Sequence, residues 1–96
     1  MNLVFHPEAR AEFLSAIDYY EPCRAGLGYD SAAEIQLTIE TIRSFPKAWP
    51  FLEGDIRRSL IRRFPYGLIV TEEDDVILIL AVMHLHRDPE YWKHRL

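Results

Sequence analysis

The chain changes its hydrophobic rhythm halfway along. Asn2-Leu3-Val4-Phe5 reads as a short first strand. Ala9, Phe13, Ala16, Ile17 and Tyr20 then recur at three- and four-residue intervals, the spacing of one apolar helix face. Pro7 suits the first turn of that helix, Glu8 and Glu12 favour its positive end, and Pro22 with Gly26-Leu27-Gly28 breaks it. A second helix is predicted from about Tyr29 to Phe45, with Ala32, Ile35, Ile39, Ile42 and Phe45 on one face. Its start is either the capping box Ser31-Ala32-Ala33-Glu34 or a turn earlier. Pro46 ends it.

Beyond a loop at Lys47–Asp55, whose Trp49, Pro50 and Phe51 are expected to cap one end of the core, the pattern becomes strand-like. Three strands are predicted, at about Ile56–Phe64, Tyr66–Thr71 and Val76–Met83, joined at Phe64-Pro65-Tyr66-Gly67 and at the acidic turn Glu72-Glu73-Asp74-Asp75. The last strand is apolar on both faces, so it belongs inside the sheet with a helix on at least one side. Pro89 stops it, and Glu90 to Leu96 reads as a tail or helical turn. The expected fold class is α+β, in one domain over residues 1–96: an N-terminal strand, a helical hairpin and a three-stranded antiparallel meander, with the helices on one face.

The 96 residues include 49% hydrophobic ones, enough for a core. The longest apolar run is far below the ~20 residues of a membrane-spanning helix, so no membrane partner is expected. Cys23 is alone, which excludes an intrachain disulfide and a cysteine-based zinc site, and a cytoplasmic location fits. The net charge of −4 disfavours nonspecific nucleic-acid binding, but the charge is uneven. Residues 1–55 carry four basic and nine acidic side chains, whereas residues 56–96 carry seven and six.

The basic groups frame the chemistry. Arg57, Arg58, Arg62 and Arg63 lie on the first strand of the predicted meander, with Arg58 and Arg62 on one face and Arg57 and Arg63 on the other. The last strand delivers His84, His86, Arg87, Tyr91 and Trp92 to the sheet rim. Guanidinium forks suit carboxylates and phosphates, so this surface is expected to grip an acidic protein surface or a polyanion. The bland alternative is an edge strand whose arginines pair with helix carboxylates, with Tyr91 and Trp92 folding back on the core. His84 and His86 with Asp88 lack a fourth ligand, so no metal and no cofactor is expected.

Taken together, the first strand with His6-Pro7-Glu8-Ala9, the arginine-bearing strand before Phe64-Pro65-Tyr66-Gly67-Leu68-Ile69-Val70, and Val76–His84 followed by Arg87-Asp88-Pro89 and Trp92 resemble the RelE/ParE toxins of bacterial toxin–antitoxin systems. The likeness spans nearly the whole chain and is nearest the ParE-like, plasmid-stabilisation branch. It implies a toxin that binds a cellular target, DNA gyrase first, is neutralised by a cognate antitoxin, and meets DNA only through that antitoxin. Target contact is then expected from Arg57, Arg58, Arg62, Arg63, His86, Arg87 and Trp92. The alternative implied by the RelE branch is a metal-free endoribonuclease acting on mRNA at the ribosome. Arg58 and Arg62 would then hold phosphate, Arg87 would stabilise the transition state and Tyr91 or His84 would move the proton. Gly67 stands where those ribonucleases carry an arginine, and the strand has no lysine. A third alternative is a non-toxic relic that only binds its antitoxin.

Overall fold

The computed structural model describes residues 2–96. Strand β1 (Asn2–Phe5) leads into helices α1 (Pro7–Tyr20) and α2 (Leu27–Ser44). Strands β2 (Phe51–Glu53), β3 (Ile56–Leu60), β4 (Tyr66–Glu73) and β5 (Val76–His84) follow, and a 3-10 turn closes the chain at Lys93–Arg95. The five strands form one sheet in the order β1-β5-β4-β3-β2. β1 runs parallel to β5 and the other neighbours are antiparallel. The α+β arrangement is therefore as expected, with one strand more in the meander. β2 falls inside the predicted loop.

In α1 the His6 ring caps the helix by accepting the Glu8 N–H at 3.1 Å, and Ala9, Phe13 and Ala16 are buried. α2 begins four residues before Ser31, so the predicted capping box goes unused. Ser31 is buried and donates to the Gly28 carbonyl at 2.7 Å. The cap comes from the preceding turn instead: the Glu21 carboxylate accepts the N–H groups of Gly26 and Gly28 at 2.8 and 2.9 Å, satisfying donors that a helix start leaves free. A Cβ on Gly28 would stand 2.7 Å from the Ile17 carbonyl oxygen, so glycine is what lets the two helices meet there. Phe45 leaves the helix at φ −135° and is exposed, off the apolar face predicted for it.

The turn between β4 and β5 is tighter than the four acidic residues suggest. Only Asp74 and Asp75 form it, both at positive φ, the two-residue hairpin geometry that matches strand twist. Opposite Ile69 and Val70 the register steps from Ala81 to Ile79, which makes Leu80 the extra residue of a bulge. Ile77, Ile79 and Val82 then pack under the helices with Ile35, Ile39, Ile42, Leu68 and Val70. Leu80, Ala81 and Met83 face the other way, where Trp92 covers them together with Ile56 and Ile69. The second face of the sheet is thus covered by the C-terminal segment. Trp92 is 1% exposed. This corrects its expected role as a surface contact: the indole contributes apolar area where the helices do not reach. Trp49 packs on the helix-side core. Phe51 does not; it is exposed beneath the Arg57 guanidinium, 3.8 Å from its ring centre.

Candidate functional site

The four arginines expected on one strand do not form one surface. Arg57, opposite Val70, turns back to donate to the carbonyls of Lys47 and Trp49 and so fixes the loop before β2. Arg58, opposite Ile69, runs along the other face past Gly67 and lines a hollow of about 130 Å³ with Met83, Glu90 and Trp92. Arg62 and Arg63 were expected on the strand, but β3 stops at Leu60. The shared face assigned to Arg58 and Arg62 is therefore not formed. Arg62 lies beside α2 near Leu37 and Thr38. Arg63 takes φ 73°, with its guanidinium 3.6 Å from the Asp30 carboxylate and 5.4 Å from the Phe64 ring centre.

The C-terminal groups do converge. His84 lies opposite Tyr66 across the β4–β5 ladder, with ring centres 5.1 Å apart. The His86 ring stands 5.2 Å beyond His84, and Tyr20 stands 6.2 Å behind Tyr66. The His84 Nδ1 accepts the His86 N–H at 3.1 Å, which orients the imidazole. His84, Tyr66 and Val82 form one side of an open cleft of about 440 Å³. Glu12, Ser15, Ala16 and Tyr19 of α1 form the other, with Arg87 at its rim. Volumes of about 300–1,000 Å³ are typical of ligand-sized hollows.

Beneath Arg87 lies a network that begins at Glu12. This carboxylate, mostly buried on α1, fills a gap in the sheet. β1 accompanies β5 only as far as Ile79, so the β5 edge beyond it needs other partners. Glu12 Oε1 accepts the Val82 N–H at 3.0 Å, and Arg95 donates to the Leu80 carbonyl at 2.9 Å. The two side chains also pair through both oxygens, at 2.9 and 3.1 Å, with the Arg95 side chain only 5% exposed. Tyr91 donates its hydroxyl to Glu12 Oε2 at 2.6 Å, and Arg87 donates to the same oxygen at 3.3 Å while lying 3.7 Å above the Tyr91 ring centre. Arg95 Nε approaches Glu8 Oε2 to 2.7 Å, but without hydrogen-bond alignment. That contact is one of charge.

Burial, then the bond to Glu12, pushes the Tyr91 phenol far above its ordinary value. It is a donor fixed to a carboxylate, poorly suited to accept a proton. Burial likewise raises the Tyr66 phenol. The hydrogen bond from His94, with help from Arg95, holds the exposed Glu8 carboxyl below its usual range against the opposing effect of burial.

Of the residues named from the sequence, His84 and Arg87 meet in the cleft and Tyr91 supports Arg87 from below. Arg57, Arg58, Arg62, Arg63 and Trp92 lie elsewhere, and exposed His86 flanks His84. Sequence reasoning missed Glu12, Tyr19, Tyr66 and Arg95. Tyr20 belongs to the apolar face of α1, whereas its neighbour Tyr19 is exposed on the cleft wall. Glu12 did carry a signal: it stands three residues after Ala9 and four before Ala16, on the apolar stripe where a carboxylate requires partners.

No family model matches the chain, and no curated protein matches it in sequence. Its architecture is that of a known class of small α+β protein. A chain of a solved chromosomal ParDE toxin–antitoxin system from P. aeruginosa superposes on it with a TM-score of 0.66, over 90% of this chain and 97% of that one, at 16% identity. The likeness is one of fold.

Proposed function

We propose that this protein is the toxin of a toxin–antitoxin pair and acts by binding its target, DNA gyrase first, until a cognate antitoxin covers it. The observation that carries this reading is the near end-to-end fold match to a ParDE chain, joined to a cleft whose rim holds a preorganised guanidinium. Arg87 is stacked on Tyr91 and tethered to Glu12, and its side chain is still 54% exposed. A guanidinium held in that way loses little freedom when it meets a carboxylate or phosphate.

The separation of Arg58 from Arg62 favours binding over chemistry. The two line different hollows, and the Tyr91 hydroxyl is committed to Glu12. One observation favours the ribonuclease reading: His84 and Arg87 share the cleft. Two assays decide between them. Purified protein added to gyrase and relaxed plasmid should block supercoiling, whereas in a cell-free translation extract the mRNA should stay intact. Rapid mRNA cleavage with unaffected gyrase overturns the proposal in favour of the enzyme. No effect in either assay leaves the non-toxic relic.

A further inference from the structure

We propose that β1 is the interface between two copies of this chain, which join their sheets antiparallel across a two-fold axis at Val4. The inference is independent of the toxin reading and uses no residue of the Arg87 cleft.

The sheet ends on β1 at one side and on β2 at the other, and free edges invite pairing. The β2 edge is guarded. It is three residues long, its register shifts between Phe51 and Glu53, and the Glu53 carboxylate pairs there with Lys93. The β1 edge carries none of these devices. Asn2-Leu3-Val4-Phe5 has no charge, no proline and no register shift, and Val4 is 49% exposed.

The register fixes which groups face out. The His6 N–H bonds the Ile79 carbonyl, and Phe5 lies opposite Ile79. In a parallel ladder Asn2, Val4 and His6 then turn their amide groups to β5, while the N–H and C=O of Leu3 and Phe5 point away from the sheet. That set is its own complement. With the two-fold axis at Val4, Leu3 exchanges both bonds with the partner's Phe5, and Phe5 does the same with the partner's Leu3, about four hydrogen bonds in all. The two Val4 residues meet as a non-hydrogen-bonded pair, with Cα atoms about 4.5 Å apart. Leu3 and Phe5 pack on the helix-side core, so Val4 projects from the opposite face and is covered there by its copy.

Charge agrees with this arrangement. Asn2 lies opposite Val76, directly after the acidic turn Glu72-Glu73-Asp74-Asp75. At the other end of β1, exposed Arg10 lines a hollow of about 220 Å³ beside Phe5. Antiparallel pairing sets the acidic end of each copy against the basic end of the other, the self-complementarity that a two-fold interface requires. Leu14, 54% exposed on the same hollow, adds apolar surface on the helix side. A contact this short falls below the ~1,600 Å² of a standard interface, so the dimer should be weak, with a Kd of about 10–100 μM.

Sedimentation equilibrium of the full chain between about 5 and 500 μM should show a monomer–dimer equilibrium. The Leu3 and Phe5 amides of the ¹⁵N-labelled chain should exchange several-fold more slowly at the upper concentration. Val4→Lys and Val4→Glu, each shown by circular dichroism to be folded, should each weaken association about tenfold, because like charges then meet at the axis. An equal mixture of the two variants should recover it. Leu37→Lys, on exposed α2 surface away from β1, should leave it unchanged. A chain that stays monomeric at the upper concentration overturns the inference. So does a dimer that both Val4 variants leave intact, and so does a mixture of the two that fails to associate.

Discussion

Replacing Glu12 with glutamine tests the network that holds the cleft. The amide oxygen still accepts from Val82 N–H and Arg95, but the second oxygen becomes a donor facing the Tyr91 hydroxyl and the Arg95 and Arg87 guanidiniums. Arg95, 5% exposed, then loses its buried counter-charge. Breaking a buried pair from one side costs about 3–5 kcal/mol. The Glu8 carboxylate stays 2.7 Å from Arg95 Nε, which places the expected loss near the lower end, about 3 kcal/mol. Stability of roughly 0.05–0.15 kcal/mol per residue makes that a large fraction of the whole for a chain of this length. The melting midpoint should fall by about 12–24 °C, at ~4–8 °C per kcal/mol for a domain of this size. Replacing both partners, as Glu12→Leu with Arg95→Met, removes the lone buried charge but leaves the Val82 N–H and the Leu80 carbonyl without partners at about 1–3 kcal/mol each, so the double variant should be no more stable than Glu12→Gln. Urea unfolding followed by circular dichroism gives both values. A Glu12→Gln protein within about 1 kcal/mol of wild type would show that the pair behaves as a surface ion pair, and the account of the cleft floor would be refuted.

Two further outcomes follow from the same geometry. Trp92→Ala should cost about 3–5 kcal/mol in urea unfolding, since the indole seals the second face of the sheet; a neutral result would return Trp92 to the surface. Tyr91 has a phenol pKa raised above its unfolded value of about 10, so its contribution is complete below that pH and is lost as pH rises beyond it. Tyr91→Phe should therefore flatten the alkaline fall in stability above about pH 10, and an unchanged alkaline limb in a pH series of urea midpoints would contradict the Tyr91–Glu12 bond.

Much of the fold was legible because burial wrote it into the period of the chain. Ile35, Ile39 and Ile42 recur at helix spacing and are buried, and Val76–Met83 is apolar throughout because both its faces are covered. The failures have physical reasons too. β2 has all three residues exposed, so no periodicity marks it. The Leu80 bulge leaves no trace in a run that is apolar at every position. The arginines dispersed because β3 ends at Leu60 and Arg63 takes a left-handed conformation, neither of which composition announces. Ser31 resembled a cap, but Glu21 performs that task from outside the helix. At the site, His84 and Arg87 were legible as polar groups at a strand end. The pair beneath Arg87, Glu12 and Arg95, is separated by 83 residues of chain and meets only in the fold, at the unfinished edge of β5.

On the proposed function, Arg87, held over Tyr91, grips the target by binding. Gyrase supercoiling inhibition by the wild-type chain and by Arg87→Glu measures this most directly, with circular dichroism confirming that both are folded. The wild type should inhibit supercoiling, and the variant should be at least tenfold weaker. Undiminished inhibition by a folded Arg87→Glu protein would contradict it.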